Sequence, residues 1–123
     1  MTQHLPLILD DERLAALVDE LGDAHVVREA VQTFLDELPG RLAAIRSSIE
    51  AGDLQLAHDR AHALGSPAAM LGATSVRYAT KEIENAVKSG TDLDLDDLYG
   101  DLDAVSALTA DALRDYLASP LPA

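Results

Sequence analysis

The chain has 123 residues, a formal net charge of −13 from 22 acidic and 9 basic side chains, and no cysteine. That length suits one domain with a real core, the charge repels phosphate backbones, and disulfides, thiolate nucleophiles and zinc knuckles are excluded. Apolar residues make up 48% but aromatics only 3% (Phe34, Tyr78, Tyr99, Tyr116), so the core must be aliphatic, which suits close-packed helices.

Residues 1–9 read as a leader. It lacks the basic start of a secretory signal, and no apolar run reaches the ~18 residues a membrane span needs. No nucleic-acid or membrane partner and a cytoplasmic setting are therefore expected. Asp10 or Asp11 can cap a first helix carrying Leu14, Leu17, Val18 and Leu21, ended by Gly22. Asp23 can cap a long second segment with Val27, Val31, Phe34, Leu38, Leu42, Ile45 and Ile49 inside. Pro39 predicts a kink or brief break in it.

Gly52 and Asp53 then stop one helix and start the next. Leu54, Ala57, Ala61, Leu64, Ala68 and Leu71 recur at spacings of three and four, one buried stripe. His62 falls roughly 130° from the centre of that stripe, so its imidazole points to water. Gly65-Ser66-Pro67 looks locally like a stop, a cap and a restart. Pro67 also removes the amide that would bond Ala63, costing about 3 kcal/mol in a regular helix. The stripe nevertheless continues in phase, which predicts one kinked continuous helix turning near Gly72.

Thr74 or Ser75 can cap a fourth helix with Tyr78, Ile83, Ala86 and Val87 inside, closed by Ser89-Gly90. An acidic linker, Thr91 to Asp94, leads to a last helix through Leu98, Leu102, Val105, Leu108, Leu113 and Leu117. Residues 119–123 form a tail. Short connections between long helices predict an all-α, antiparallel, up-and-down four-helix bundle over residues 10–118, with a short additional N-terminal helix.

The stretch Ala61-His62-Ala63-Leu64, followed by Ala68-Ala69-Met70-Leu71-Gly72-Ala73, resembles the signature of histidine-containing phosphotransfer (HPt) domains, H-x-L-K-G-S-x-A-x-L-G-A. Glu50-Ala51-Gly52-Asp53 is similar to the family's acidic-Gly-Asp turn, Ile83-Glu84 to its hydrophobic-Glu pair, and Leu38-Pro39 to its Leu-Pro step. The resemblance spans roughly residues 10 to 117. It implies a monomeric phosphorelay intermediate without a nucleotide or hydrolytic site. His62 would take a phosphoryl group from a sensor histidine kinase or receiver and hand it to a response-regulator receiver domain. It implies no cofactor of the chain's own, Mg²⁺ being expected only on the partner receiver.

Three departures follow the histidine. Gly65 stands where the family has lysine, Ser66 where it has glycine, and Pro67 where it has serine. A missing cation weakens the electrostatic case for transfer, and a side chain at Ser66 narrows access. A degenerate docking module that carries no phosphate is the alternative, and a lysine restored at position 65 is expected to strengthen the site.

Residues near 81 to 84 should lie level with His62 on the antiparallel return. Glu84 matches the family position whose carboxylate accepts a hydrogen bond from the ring, and Lys81 could stand in for the missing lysine. His58, one turn before His62, and Ala69 are expected to flank the docking surface. His58-Asp59-Arg60-Ala61-His62 also superficially resembles a zinc-binding H-E-x-x-H helix. Aspartate replaces the catalytic glutamate and no third ligand stands at a telling spacing, so no metal site is expected.

Overall fold

The computed structural model describes residues 7–90 and 94–120, and among them every regular element is an α-helix. These are α1 (Asp11–Leu21), α2 (Ala24–Glu50), α3 (Leu54–Met70), α4 (Thr74–Ser89) and α5 (Leu95–Ala118). Aspartates start four of them: Asp10, Asp23, Asp53 and Asp94 each accept a backbone N–H of the first turn. The fourth helix departs from the expected cap. Its N-cap is Ala73, with no side-chain cap, because Thr74 and Ser75 already lie inside the helix and their hydroxyls donate to Gly72 O and Leu7 O.

α2 packs on α3, α3 on α4, α4 on α5, and α5 back on α2, so four helices close a ring while α1 rests against α2. This is the expected four-helix bundle with an extra N-terminal helix. The core is aliphatic: Leu14, Val27, Val31, Ile45, Leu64, Val76, Ile83, Leu102 and Leu113 are almost completely buried, with Phe34 the one buried aromatic ring. Each such Leu or Ile contributes about 1.5–3 kcal/mol on leaving water.

Four residues expected inside lie outside: Leu21, Leu54, Tyr78 and Leu108 are about half exposed. Leu54 opens α3, where the bundle has tapered. On α4 and α5 the inner face is set by Val76, Ala79, Thr80 and Ile83 and by Leu102, Ser106, Thr109 and Leu113. The stripe therefore runs through small polar residues that a hydrophobic pattern overlooks, and Thr109 satisfies its hydroxyl on Val105 O at 2.7 Å.

Pro39 sits inside an uninterrupted α2, not at a break. The expected leader is partly docked: Asp10 N donates to Gly72 O at 2.8 Å and Ser75 N to Leu7 O at 2.9 Å, tying residues 7–10 across the α3–α4 turn. That turn needs Gly72, whose φ is +77° and whose added Cβ would meet Asp10 O at 2.7 Å. Residues 1–6, 91–93 and 121–123 lie outside the described residues, and with them most of the acidic linker, part of the leader and part of the tail.

Candidate functional site

α3 carries Pro67 without ending. The proline has no amide for the Ala63 carbonyl, and Arg41 of α2 fills that place, its Nη1 donating to Ala63 O at 3.1 Å. A second staple runs the opposite way, from Arg60 Nη1 of α3 to Ala44 O at 2.9 Å and Ser48 Oγ at 2.8 Å. α2 thus fixes the helix on both sides of His62. Along α3 the stripe stays in phase, with Ala57, Ala61, Leu64 and Ala68 fully buried.

His62 projects from the opposite side, its side chain 58% exposed. Its Nδ1 lies 3.0 Å from Oε1 of Glu84 on α4, a carboxylate only 9% exposed. An ionised carboxylate can only accept, so this contact keeps the ring proton on Nδ1 and leaves the outer nitrogen, Nε2, with a free lone pair. Glu84 is itself held: Arg77 Nη1 donates to its other oxygen, Oε2, at 3.0 Å. Imidazole, carboxylate and guanidinium form one hydrogen-bonded chain.

Gly65 is buried one turn beyond His62. A Cβ placed there would stand 2.4 Å from Arg77 Nη1 and 2.5 Å from Thr80 Oγ1. The space a side chain would need is occupied, so a lysine restored at this position does not fit the packed structure as expected. The cation beside the site is Arg77. Lys81 is exposed, and the structure does not bring it to the pair: it makes no hydrogen bond or ion pair among the described residues. Sequence reasoning missed Arg77, because the antiparallel register that sets His62 against Glu84 sets Gly65 level with residue 81, and Arg77 reaches the gap from a turn away along α4.

Ser66 is exposed and its hydroxyl turns back to donate to His62 O at 3.2 Å. Ala69 is exposed two turns past His62, and at 100° per residue it shares a face with Ser66, His62 and His58. His58 is more enclosed, its side chain 18% exposed, with Nδ1 3.1 Å from Asp59 Oδ1. Hydrogen bonds from His58 and then Gln55 hold the Asp59 carboxyl below its ordinary range. The two histidine rings thus engage different acids, and among the described residues no cluster of three or more His, Asp or Glu is arranged to hold a metal. On the α2 flank a shallow cleft of about 430 Å³ lies between Glu37, Gly40, Arg41, Ala44, Arg60 and Ala63.

A helical bundle that presents a solvent-facing imidazole, oriented from behind by a buried carboxylate, has the build of a histidine phosphotransfer module. The comparisons agree. The model of the Hpt domain matches residues 29–118. The phosphorelay protein LuxU from two strains of Vibrio vulnificus, YJ016 and CMCP6, is 32% identical over 87 residues, 71% of this chain and 75% of LuxU. The crystal structure of histidine-containing phosphotransfer protein B (HptB) from Pseudomonas aeruginosa PAO1 has the same fold. It matches with a TM-score of 0.81 at 22% identity, over 89% of this chain and 94% of that one. The chain belongs to the Hpt domain family, whose members are phosphotransfer carriers in phosphorelays.

Proposed function

We propose that His62 is the phosphoacceptor, taking a phosphoryl group from a sensor histidine kinase or its receiver and passing it to the receiver domain of a response regulator. The observation that carries this is the ring itself: exposed, with Nδ1 tied to Glu84 at 3.0 Å, which leaves Nε2 as the nitrogen free to react. In the forward step the Nε2 lone pair attacks phosphorus of an aspartyl phosphate. The Nε2–P bond forms as the P–O bond breaks, and the aspartate leaves as a carboxylate. Nε2 has no proton to lose. The ring becomes cationic while Nδ1 keeps its proton, and the Glu84 carboxylate stabilises that charge.

Little else is required of this chain. Charge on the leaving aspartate is balanced by Mg²⁺ on the receiver, so the proposal gives the protein no cofactor, metal or hydrolytic step of its own. His58, Ser66 and Ala69 share the face a receiver would cover. A monomer working in the cytoplasm completes the reading.

The test is direct. Incubate the protein with phosphoramidate, and separately with a phosphorylated receiver domain, then map the adduct by mass spectrometry after acid and after base treatment. An acid-labile, base-stable phosphate on His62, absent from His62→Gln and transferable to a receiver, is expected. Full labelling of His62→Gln would refute the assignment. Docking to a receiver without any labelling would instead identify a binding module that carries no phosphate.

A further inference from the structure

We infer that Arg77 is the positioning cation of this site, working from α4 through the space left open by Gly65. The inference rests on His62 as phosphoacceptor and assigns the charge that the motif on α3 lacks. Two independent observations carry it. Arg77 Nη1 holds Oε2 of the carboxylate whose Oε1 holds the His62 ring, at 3.0 Å in each case. The same nitrogen lies 2.4 Å from where a Cβ of residue 65 would stand. Any side chain at 65 would therefore displace the guanidinium from Glu84. Glycine at 65 and arginine at 77 form one device.

Its physical work is on Glu84. A phosphoryl group on Nε2 is dianionic or nearly so, and a bare carboxylate on the far side of the same ring adds a like charge to it. A guanidinium on the second oxygen offsets that charge without competing for the first, because one carboxylate can accept from two donors at once. It also fixes the carboxylate plane, and so the ring. The alternative use of Glu84, a swing toward solvent, is closed off while Arg77 holds it. Arg77 is 27% exposed at its side chain, enclosed enough to keep its position and close enough to solvent to be replaced without emptying the core. Lys81 and Lys88 are exposed on the same helix and make no such contact.

The experiment uses phosphoramidate as the donor, which separates chemistry from receiver docking. The P–N bond of the donor breaks, ammonia leaves, and the Nε2–P bond forms. Arg77→Ala should label about tenfold more slowly than the parent, the scale expected when the partner that orients a reacting ligand is removed. Gly65→Lys placed in an Arg77→Ala/Thr80→Ala background should recover much of the rate, because both atoms that a Cβ at 65 would meet, Arg77 Nη1 and Thr80 Oγ1, are then gone. Gly65→Lys alone should label no faster than the parent and should melt lower. A second readout does not depend on labelling: long-range ¹H–¹⁵N spectra report which ring nitrogen of His62 carries the proton. The Nδ1–H form should dominate in the parent and lose ground in Arg77→Ala, with far-UV circular dichroism unchanged.

Equal labelling rates in Arg77→Ala and the parent would overturn the inference. So would a folded Arg77→Ala/Thr80→Ala/Gly65→Lys protein no faster than Arg77→Ala/Thr80→Ala. If the parent itself takes no phosphate on His62, the phosphoacceptor reading fails. The ring spectra then decide on Arg77 alone: a tautomer shift upholds its positioning role, and unchanged spectra end it.

Discussion

Replacing Arg41 by Ala should cost the bundle about 1–1.5 kcal/mol, and much less once Pro67 has also been replaced by Ala. The reasoning starts from one carbonyl. Pro67 offers Ala63 O no amide, and Arg41 Nη1 takes that place at 3.1 Å. A hydrogen bond from a charged donor contributes about 1.5–3 kcal/mol when fully enclosed. Arg41 is 33% exposed at its side chain, so water can reach a freed carbonyl, and the loss falls to about 1 kcal/mol. Its 3.4 Å ion pair with Glu37 is an exposed i,i+4 contact worth about 0.3–0.5 kcal/mol. Pro67→Ala returns an amide to the helix and should stabilise it by about 1–2 kcal/mol, less than the full proline penalty because Arg41 already relieves part of it. In that background Ala63 O has its own helical donor, and Arg41→Ala should cost only the residual ion pair, about 0.5 kcal/mol. Urea unfolding of the four proteins, followed by far-UV circular dichroism with m-values compared, measures the coupling. At this chain length the single Arg41 change should also lower Tm by about 3–6 °C. If Arg41→Ala costs the same in both backgrounds, the arginine is not standing in for the missing amide.

Two further outcomes follow from the same geometry. Glu84→Gln should slow labelling of His62 by about 10–100-fold with little change in receiver docking, since an amide accepts more weakly from Nδ1 and has no charge to balance the ring; equal rates would leave Glu84 without a role in orienting the imidazole. Gly72→Ala should destabilise by more than about 1 kcal/mol, because φ is +77° and the added Cβ would meet Asp10 O at 2.7 Å; a melting curve matching the parent would mean that residues 7–10 are not held against the turn in solution.

The helices were legible because their signals are local. The Asp10, Asp23 and Asp53 caps, the Gly22 and Gly90 stops and the apolar stripe through Ala57, Ala61, Leu64 and Ala68 are each read within a few residues. The outward direction of His62 follows from that stripe. Glu84 needed one tertiary step, the antiparallel return across a short turn. What escaped the sequence was substitution across helices. Gly65 read as a lost charge because the motif was read along α3 alone, whereas the charge arrives on Arg77 of α4. Pro67 read as a lost hydrogen bond because its replacement comes from Arg41, in α2.

These two replacements share a cause. In a chain of net charge −13 with only nine basic residues, arginines are used where a long, forked donor can reach a neighbouring helix. Arg13, Arg28, Arg41 and Arg60 each donate to a backbone carbonyl of another helix. Arg77 donates to a buried carboxylate instead. Lysine, a point charge that is strongly hydrated, appears twice and stays in water on both occasions. A glycine beside a reactive histidine therefore does not by itself mark a degenerate site. It can mark the place where a neighbouring helix delivers an arginine, and because that side chain is long its root can lie a full turn from the residue the antiparallel register sets opposite the glycine.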